Sequence, residues 1–163
     1  MAKTIKNSTI FIHGQESSSK GTKGLFFGDL APQMMIPDFV GDVSNRMSRL
    51  YEILRGRSAL TIIGSSLGGL MAGLYSFQNS DKVKKLILLA PALNLPEFEP
   101  YLSETLTVPV FVFHGNNDEV IPCQAIRVIA EKVFPSLTFT VLDDDHRLTT
   151  TFAKIDWAQL LFD

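Results

Sequence analysis

The sequence has 163 residues, of which 45% are hydrophobic and 20% charged, as in folded globular domains and unlike disordered or fibrous chains. We expect a single domain over residues 1–163, since this length suits one hydrophobic core. Fifteen basic and 17 acidic residues give a formal net charge of −2 without a block of either sign, so we expect no nucleic-acid partner.

Short apolar runs divide the chain. They are continuous rather than alternating, which is typical of strands in a parallel sheet buried on both faces. The four strongest are Thr9–Ile12, Leu60–Ile63, Leu86–Leu89 and Val110–Phe113. Two weaker runs, Met34–Ile36 and Thr138–Leu142, complete a predicted set of six strands.

Stretches of helical periodicity lie between these strands. The clearest has Asp42 or Ser44 as a candidate N-cap and Gly56 as its end, with an apolar stripe formed by Val43, Met47, Leu50, Tyr51 and Leu54. Further stripes occupy residues 67–77, 126–133 and, less regularly, 152–160. The alternation predicts an α/β fold, with an open, mostly parallel six-stranded sheet and helices on both faces.

Polar side chains that could take part in a reaction follow several of the predicted strands. His13 comes after the first strand, Ser66 after the third, Asp118 after the fifth and His146 after the last. Ligands bind at the carboxyl ends of the strands in such sheets. We therefore expect serine, acid and histidine to meet at one edge.

The pentapeptide Gly64–Gly68 fits the pattern G-x-S-x-G with Ser66 at its centre and Ser65 in a variable position. A nucleophile on a sharp turn from strand to helix needs very small neighbours two residues away, and both are glycine. The backbone N–H of Leu67 would then point at a developing oxyanion. Alternatively, the glycines only let a buried helix pack close to the sheet.

A serine nucleophile needs a base, and the base needs an orienting group. His146 and Asp118 are the best candidates, because the chain order of nucleophile, acid and base is that of α/β-hydrolases. One of Asp143, Asp144 and Asp145 is an alternative partner for the histidine. Otherwise these three aspartates would form a solvated loop.

Several segments together resemble the α/β-hydrolase family, in particular its small esterase-like bacterial members without a cap domain. They are FIHG at 11–14, GSSLGG at 64–69, LLAPA at 88–92, VFHGNNDEVIP at 112–122 and DDDHRL at 143–148. The resemblance implies Ser66 as nucleophile, Asp118 as acid and His146 as base. It also implies an oxyanion hole made by the backbone amides of Leu67 and Gln15.

The chain is shorter than typical family members in two places. Its first predicted strand begins at residue 9, which leaves no room for the usual preceding antiparallel pair. Residues 92–107 stand where many members insert a lid domain, so we expect an open site or one covered by a short loop. Side chains of this loop could line an acyl pocket or simply cap the core: Leu93, Leu95, Phe98, Tyr101 and Leu102.

These features favour a serine hydrolase, carboxylesterase-like or thioesterase-like, that cleaves small or medium acyl esters through an acyl-enzyme. It would need no cofactor, and its partner would be a small-molecule acyl ester or thioester. Amide hydrolysis by the same residues, or a non-catalytic ligand-binding protein with this fold, are the alternatives. A metal site of His13, His114 and His146 is disfavoured, since no close histidine pair lies on one helix.

The single cysteine, Cys123, cannot form an internal disulfide, which fits a reducing compartment. Met1–Lys6 lacks the apolar core of a signal peptide. The longest apolar run, Leu86–Leu93, is far too short to span a membrane and contains Pro91. We expect a cytoplasmic protein without membrane insertion, and the sequence leaves its oligomeric state open.

Overall fold

A parallel β-sheet runs through the centre of the structure, a computed structural model that describes residues 8–162. Met1–Lys6, predicted to be no signal peptide, lies outside the described residues. The strands, all parallel and in the spatial order β1-β2-β3-β4-β5, confirm the predicted open sheet. They are β1 (Thr9–Ile12), β2 (Leu60–Ser65), β3 (Val83–Leu89), β4 (Val110–Gly115) and β5 (Leu137–Leu142).

The sixth predicted strand, Met34–Ile36, is absent from the sheet, so the predicted number of strands is wrong. Only one isolated parallel bridge forms there, between Met35 and Ile10 of β1. Pro37 follows directly, and because proline has no N–H to donate, it cannot extend the pairing. The segment therefore protects the edge of β1 with a single residue.

The α-helices of the described chain are α1 (Thr22–Leu30), α2 (Val43–Leu54), α3 (Leu67–Gln78), α4 (Cys123–Val133) and α5 (Trp157–Phe162). The prediction of α2 is confirmed, including Asp42 as its N-cap, since the Asp42 carboxylate accepts the Asn45 N–H at 2.8 Å. The irregular stripe at 152–160 divides into a 3₁₀ helix, Phe152–Lys154, and α5. Helix α1 was not predicted.

One hydrophobic cluster covers each face of the sheet, which confirms helices on both sides. The first joins the sheet to α2, α3 and α4 through side chains such as Leu50, Leu70 and Ile126. The second contains α1 and α5 and is aromatic: the ring centroid of Phe27 lies 4.9 Å from Trp157 and 5.5 Å from Phe152. Both contacts are edge-to-face, the arrangement that aromatic quadrupoles prefer.

Strand register brings the carboxyl ends of the strands to one edge. Ile12 pairs with Gly64, and Ser65 pairs with Leu89. The segments that follow β1 and β2 therefore emerge side by side. Among residues 8–162, no helix combines the length and the apolar character needed to cross a membrane.

Candidate active site

Ser66 occupies a sharp turn between β2 and α3, with backbone angles φ 55° and ψ −116°. Few residues other than glycine adopt a positive φ, so this backbone is held by its surroundings. The turn also needs its glycines: a Cβ on Gly64 would lie 2.3 Å from the carbonyl O of Gly68. A Cβ on Gly68 would lie 2.1 Å from the carbonyl O of Ile12. The same glycines thus allow both the close packing of α3 on the sheet and the sharp turn at Ser66.

The three residues predicted as nucleophile, base and acid lie in one hydrogen-bonded chain. Ser66 Oγ is 3.0 Å from His146 Nε2, and His146 Nδ1 is 2.7 Å from Asp118 Oδ2. Because an ionised carboxylate only accepts, Nδ1 carries the proton and Nε2 is left to accept from the serine hydroxyl. This is the tautomer in which His146 can take a proton from Ser66.

Within this set of hydrogen-bonded residues, the Asp118 side chain is more deeply buried than that of His146. The Asp118 side chain is fully buried, and that of His146 is 19% exposed. The second oxygen of Asp118, Oδ1, accepts backbone N–H groups from Val120 and Ile121 at 2.9 and 2.8 Å. Asp118 is therefore fixed by its own loop, as an orienting carboxylate has to be. Of the four candidate aspartates, the structure places this one on His146 Nδ1.

The backbone amides predicted to form an oxyanion hole belong to Leu67, which follows Ser66 directly, and to Gln15, in the loop after β1. Leu67 is the first residue of α3, so its N–H lies at the positive end of a helix. The loop after β1 also comes close to Ser66: a Cβ on Gly14 would lie 3.4 Å from that of Ser66. Within residues 8–162, neither amide N–H has a hydrogen-bond acceptor. Both are thus available to an oxyanion.

Two buried side chains hold the loop that carries Gln15. His13 Nε2 accepts the Phe39 N–H at 2.9 Å, so the proton is on Nδ1, which donates to the Gly14 carbonyl at 2.6 Å. Arg46 of α2 donates through Nη2 to the Gln15 carbonyl at 3.3 Å. Within the described chain, no group of three or more His, Cys, Asp or Glu residues could hold a metal ion. His13 has a structural position because both of its ring nitrogens are hydrogen-bonded to the backbone.

Arg46 was not predicted as part of the site. It is only 4% exposed, its Nε donates to the Gly41 carbonyl at 2.8 Å, and burial lowers its pKa. Its Nη1 is buried without a partner in the described chain. The sequence held a signal, because Arg46 stands three residues after Val43 and next to Met47, on the apolar stripe of α2.

The aspartates before His146 differ in their surroundings, and Asp144 contradicts the predicted solvated loop. Asp144 is buried, and its carboxylate accepts from the N–H groups of Asp145, Thr150 and Thr151 and from the Thr151 hydroxyl, at 2.6 to 3.0 Å. Burial alone would raise the pKa of Asp144, but these hydrogen bonds hold it well below its usual range. Asp144 thus organises the loop that carries His146.

Helix α1 supports the same loop from outside. Lys23 Nζ donates to the carbonyl O of Arg147 at 2.6 Å and lies 5.3 Å from the centroid of the Phe152 ring. Burial and the neighbouring Arg147 lower the pKa of Lys23. The position of His146 thus depends on contacts from both ends of the chain.

The five residues predicted to line an acyl pocket pack on the core. Leu93 and Phe98 are 1% and 0% exposed, and both lie against α3, where a Cβ on Gly73 would be 3.3 and 3.4 Å away. Leu95, Tyr101 and Leu102 are partly buried around the same cluster. For Leu93 and Phe98 the structure matches the alternative of capping the core. An acyl-binding role for the other three stays a prediction.

A cavity of about 400 Å³ lies elsewhere, between β4, β5 and the C-terminal segment. Its floor is apolar and includes Phe111, Phe113 and Leu142. None of the residues that line it belongs to the cluster of Ser66, His146 and Asp118.

No protein-family model and no curated protein sequence matches this sequence. Solved structures match it over nearly its whole length. One match is a protein named as a hydrolase of the alpha/beta superfamily, from Xanthomonas campestris pv. campestris. It is 28% identical to this chain, with a TM-score of 0.74, and the alignment covers 94% of this chain and 93% of that chain. An esterase from Exiguobacterium antarcticum is 14% identical with a TM-score of 0.77, covering 93% and 89%. A monoacylglycerol lipase from Paleococcus ferrophilus is 17% identical with a TM-score of 0.67, covering 91% and 92%.

The chain has the α/β-hydrolase fold, which confirms the resemblance inferred from its motifs. These matches are proteins of similar length, and their names are those of a hydrolase, an esterase and a lipase. A shared fold does not fix a reaction or a substrate, so the chemistry has to be argued from the geometry around Ser66.

Proposed function

We propose that this protein is a serine hydrolase that cleaves small or medium acyl esters or thioesters. The observation that carries the proposal is the hydrogen-bonded chain from Ser66 through His146 to Asp118, with 3.0 and 2.7 Å contacts, at a strained turn. Serine is a weak nucleophile near neutral pH unless a base takes its proton. The arrangement supplies that base in the tautomer required.

In the proposed acylation, Ser66 Oγ bonds to the acyl carbon while its proton moves to His146 Nε2. The carbonyl π electrons move to the oxygen, which accepts hydrogen bonds from the Gln15 and Leu67 amides. Asp118 stabilises the imidazolium that forms, because its buried charge lies on the Nδ1–H side. Collapse of the intermediate breaks the bond to the alcohol or thiol, which leaves with the proton from His146.

Deacylation repeats these steps with water. His146 takes a proton from water as the water oxygen attacks the acyl-enzyme, and Ser66 leaves with that proton. Each step uses groups of this chain together with substrate and water, so the scheme needs no cofactor. The 19% exposure of the His146 side chain is compatible with access of both substrate and water.

Covalent labelling with a fluorophosphonate, read by intact mass, tests the nucleophile. We expect one adduct on the wild type and on Ser65→Ala, and none on Ser66→Ala. Ser65 is the matched control because it is the adjacent residue in the same turn. We also expect Ser66→Ala to lower kcat for p-nitrophenyl acetate by about 10⁶-fold. A folded wild type that neither labels nor hydrolyses would overturn the proposal and favour a ligand-binding protein.

Substrate class is tested with matched ester, thioester and amide compounds of one acyl group. We expect measurable turnover of the ester and thioester, and turnover of the amide slower by at least about 10²-fold, a difference of about 2.7 kcal/mol in barrier height. Comparable rates on the amide would make peptide or amide hydrolysis the better description.

A further inference from the structure

A second imidazole contacts the carboxylate oxygen that orients His146. His114 lies at the end of β4, and its Nε2 is 3.2 Å from Asp118 Oδ2 and 2.9 Å from the carbonyl O of Ile121. The side chains of His114 and Asp118 are both fully buried. Two histidines thus share one oxygen of Asp118, and only His146 has a part in the reaction proposed above.

The partners of His114 fix its protonation. A carbonyl only accepts, so Nε2 must carry the proton; its N–H donates to Ile121 O, and Asp118 Oδ2 lies 3.2 Å from the same nitrogen. His114 Nδ1 is buried and has no partner in the described chain. A proton there would be an unpaired buried charge. Burial also lowers the pKa of His114, against the opposing effects of the Ile121 carbonyl and Asp118.

We propose that His114 is a positioning residue, which fixes the Asp118 carboxylate so that Oδ2 faces His146; this inference rests on the proposed function. Four nitrogens then surround the Asp118 carboxylate: two backbone N–H groups donate to Oδ1, His146 Nδ1 donates to Oδ2, and His114 Nε2 lies 3.2 Å from Oδ2. With all four in place, the carboxylate cannot rotate without breaking a buried hydrogen bond. His114 also ties the acid loop to β4 through Ile121.

A neutral donor suits this position better than a charged one. A lysine or arginine would place a full positive charge against Asp118 and weaken its attraction for the imidazolium of His146. Neutral His114 donates one hydrogen bond and leaves the negative charge of Asp118 in place. The nearby thiol of Cys123, at the start of α4, is also neutral near pH 7, because burial raises its pKa.

The test is a double-mutant cycle between His114 and Asp118, with kcat and KM measured on p-nitrophenyl acetate. We expect His114→Leu to lower kcat about 30-fold with KM within about twofold, because misplacement of a supporting group acts on the chemical step. In an Asp118→Asn background, His114→Leu should lower kcat less than about twofold. Equal losses in both backgrounds would overturn the proposal, because His114 would then act independently of Asp118.

A pair of amide substitutions guards against failure of His114→Leu to fold. Glutamine can place its amide nitrogen near the position of Nε2, whereas the shorter asparagine reaches only the position of Nδ1. We expect His114→Gln to retain kcat within about fivefold of the wild type and His114→Asn to lose about as much as leucine. Equal activity of the glutamine and asparagine variants, with similar melting temperatures, would contradict the proposal.

Proton NMR of the His146 Nδ1–H gives a readout that needs no turnover. This proton, assigned by its absence in His146→Gln, should give a low-field resonance in the wild type and in His114→Gln. The resonance should be lost or broadened in His114→Asn. An unchanged resonance in His114→Asn would overturn the proposal. An inert wild type would refute the proposed function alone, and the NMR comparison would still decide the role of His114.

Discussion

Replacing the buried Asp144 should destabilise the protein, because its carboxylate organises the loop that carries His146. The Asp144 carboxylate accepts four hydrogen bonds, and bonds to a charged acceptor contribute about 1.5–3 kcal/mol each. Thr150 is exposed, so water can replace part of this when the carboxylate is removed. We therefore expect Asp144→Ala to lower the free energy of unfolding by about 3 kcal/mol, roughly half of the smallest sum.

Urea unfolding measures this loss. With a slope of about 2 kcal/mol per molar urea, the midpoint should fall by about 1.5 M. Asp144→Asn should lose about half as much, because its one oxygen can still accept from Thr150 and Thr151. The matched control is Asp143→Ala, since Asp143 is exposed and, among residues 8–162, its carboxylate accepts a single hydrogen bond, from Asn117, at 3.1 Å.

The pH dependence of the same variant has a fixed sign. The pKa of Asp144 is lower in the folded protein than its ordinary value of 3.8. Its contribution to stability is thus fully present above about pH 3.8 and is lost as the pH falls below that value. The difference between wild type and Asp144→Ala should shrink over this range. Free energies of unfolding of Asp143→Ala and Asp144→Ala that agree within about 0.5 kcal/mol at pH 7 would refute the reasoning.

Two further predictions concern the other supports of the site. Gly68→Ala should destabilise the protein by about 3 kcal/mol in thermal or urea unfolding, because its Cβ would lie 2.1 Å from the carbonyl O of Ile12. The matched control is Gly28→Ala in α1, where the nearest atom to the added Cβ is 3.9 Å away. This variant should be neutral or stabilise the protein by up to about 1 kcal/mol. Arg46→Met should lower kcat about tenfold on p-nitrophenyl acetate, because it frees the Gln15 loop. We expect little loss of stability, because the substitution removes a buried charge whose hydrogen-bond partners in the described chain are backbone carbonyls. The exposed Arg55→Met should change kcat less than about twofold, and equal effects of the two arginine variants would contradict a role for Arg46 in holding the loop.

The strands and three of the helices could be predicted because their side chains follow simple periods. Helix α2 is the clearest case: its stripe, its Asp42 cap and its end before Gly56 are all local features. Helix α1 was missed because Leu25, Phe26 and Phe27 are consecutive and lie between two glycines, a pattern without a helical stripe. Its position is decided by packing of Phe27 on the aromatic cluster, which is a tertiary effect.

For the site, chain order and strand ends were enough to predict that Ser66, Asp118 and His146 would meet. The side chains that hold these residues were not predicted, because their burial depends on contacts distant in sequence. Asp144 lies between two exposed aspartates, and nothing local distinguishes it from them. Leu93 and Phe98 show another limit: the sequence could not decide whether these apolar loop residues line a pocket or cap the core, and in the structure they pack against α3.

The spatial order of the sheet, β1-β2-β3-β4-β5, follows the order of synthesis on the ribosome. Each new strand can pair with the strand made just before it, so the sheet can grow from one side as the chain emerges. Ser66 appears early in this sequence, whereas its hydrogen-bond partner His146 is 80 residues later and follows the last strand. A nascent or truncated chain that ends before β5 would therefore contain Ser66 without His146, and the proposed mechanism could operate only once the sheet is complete.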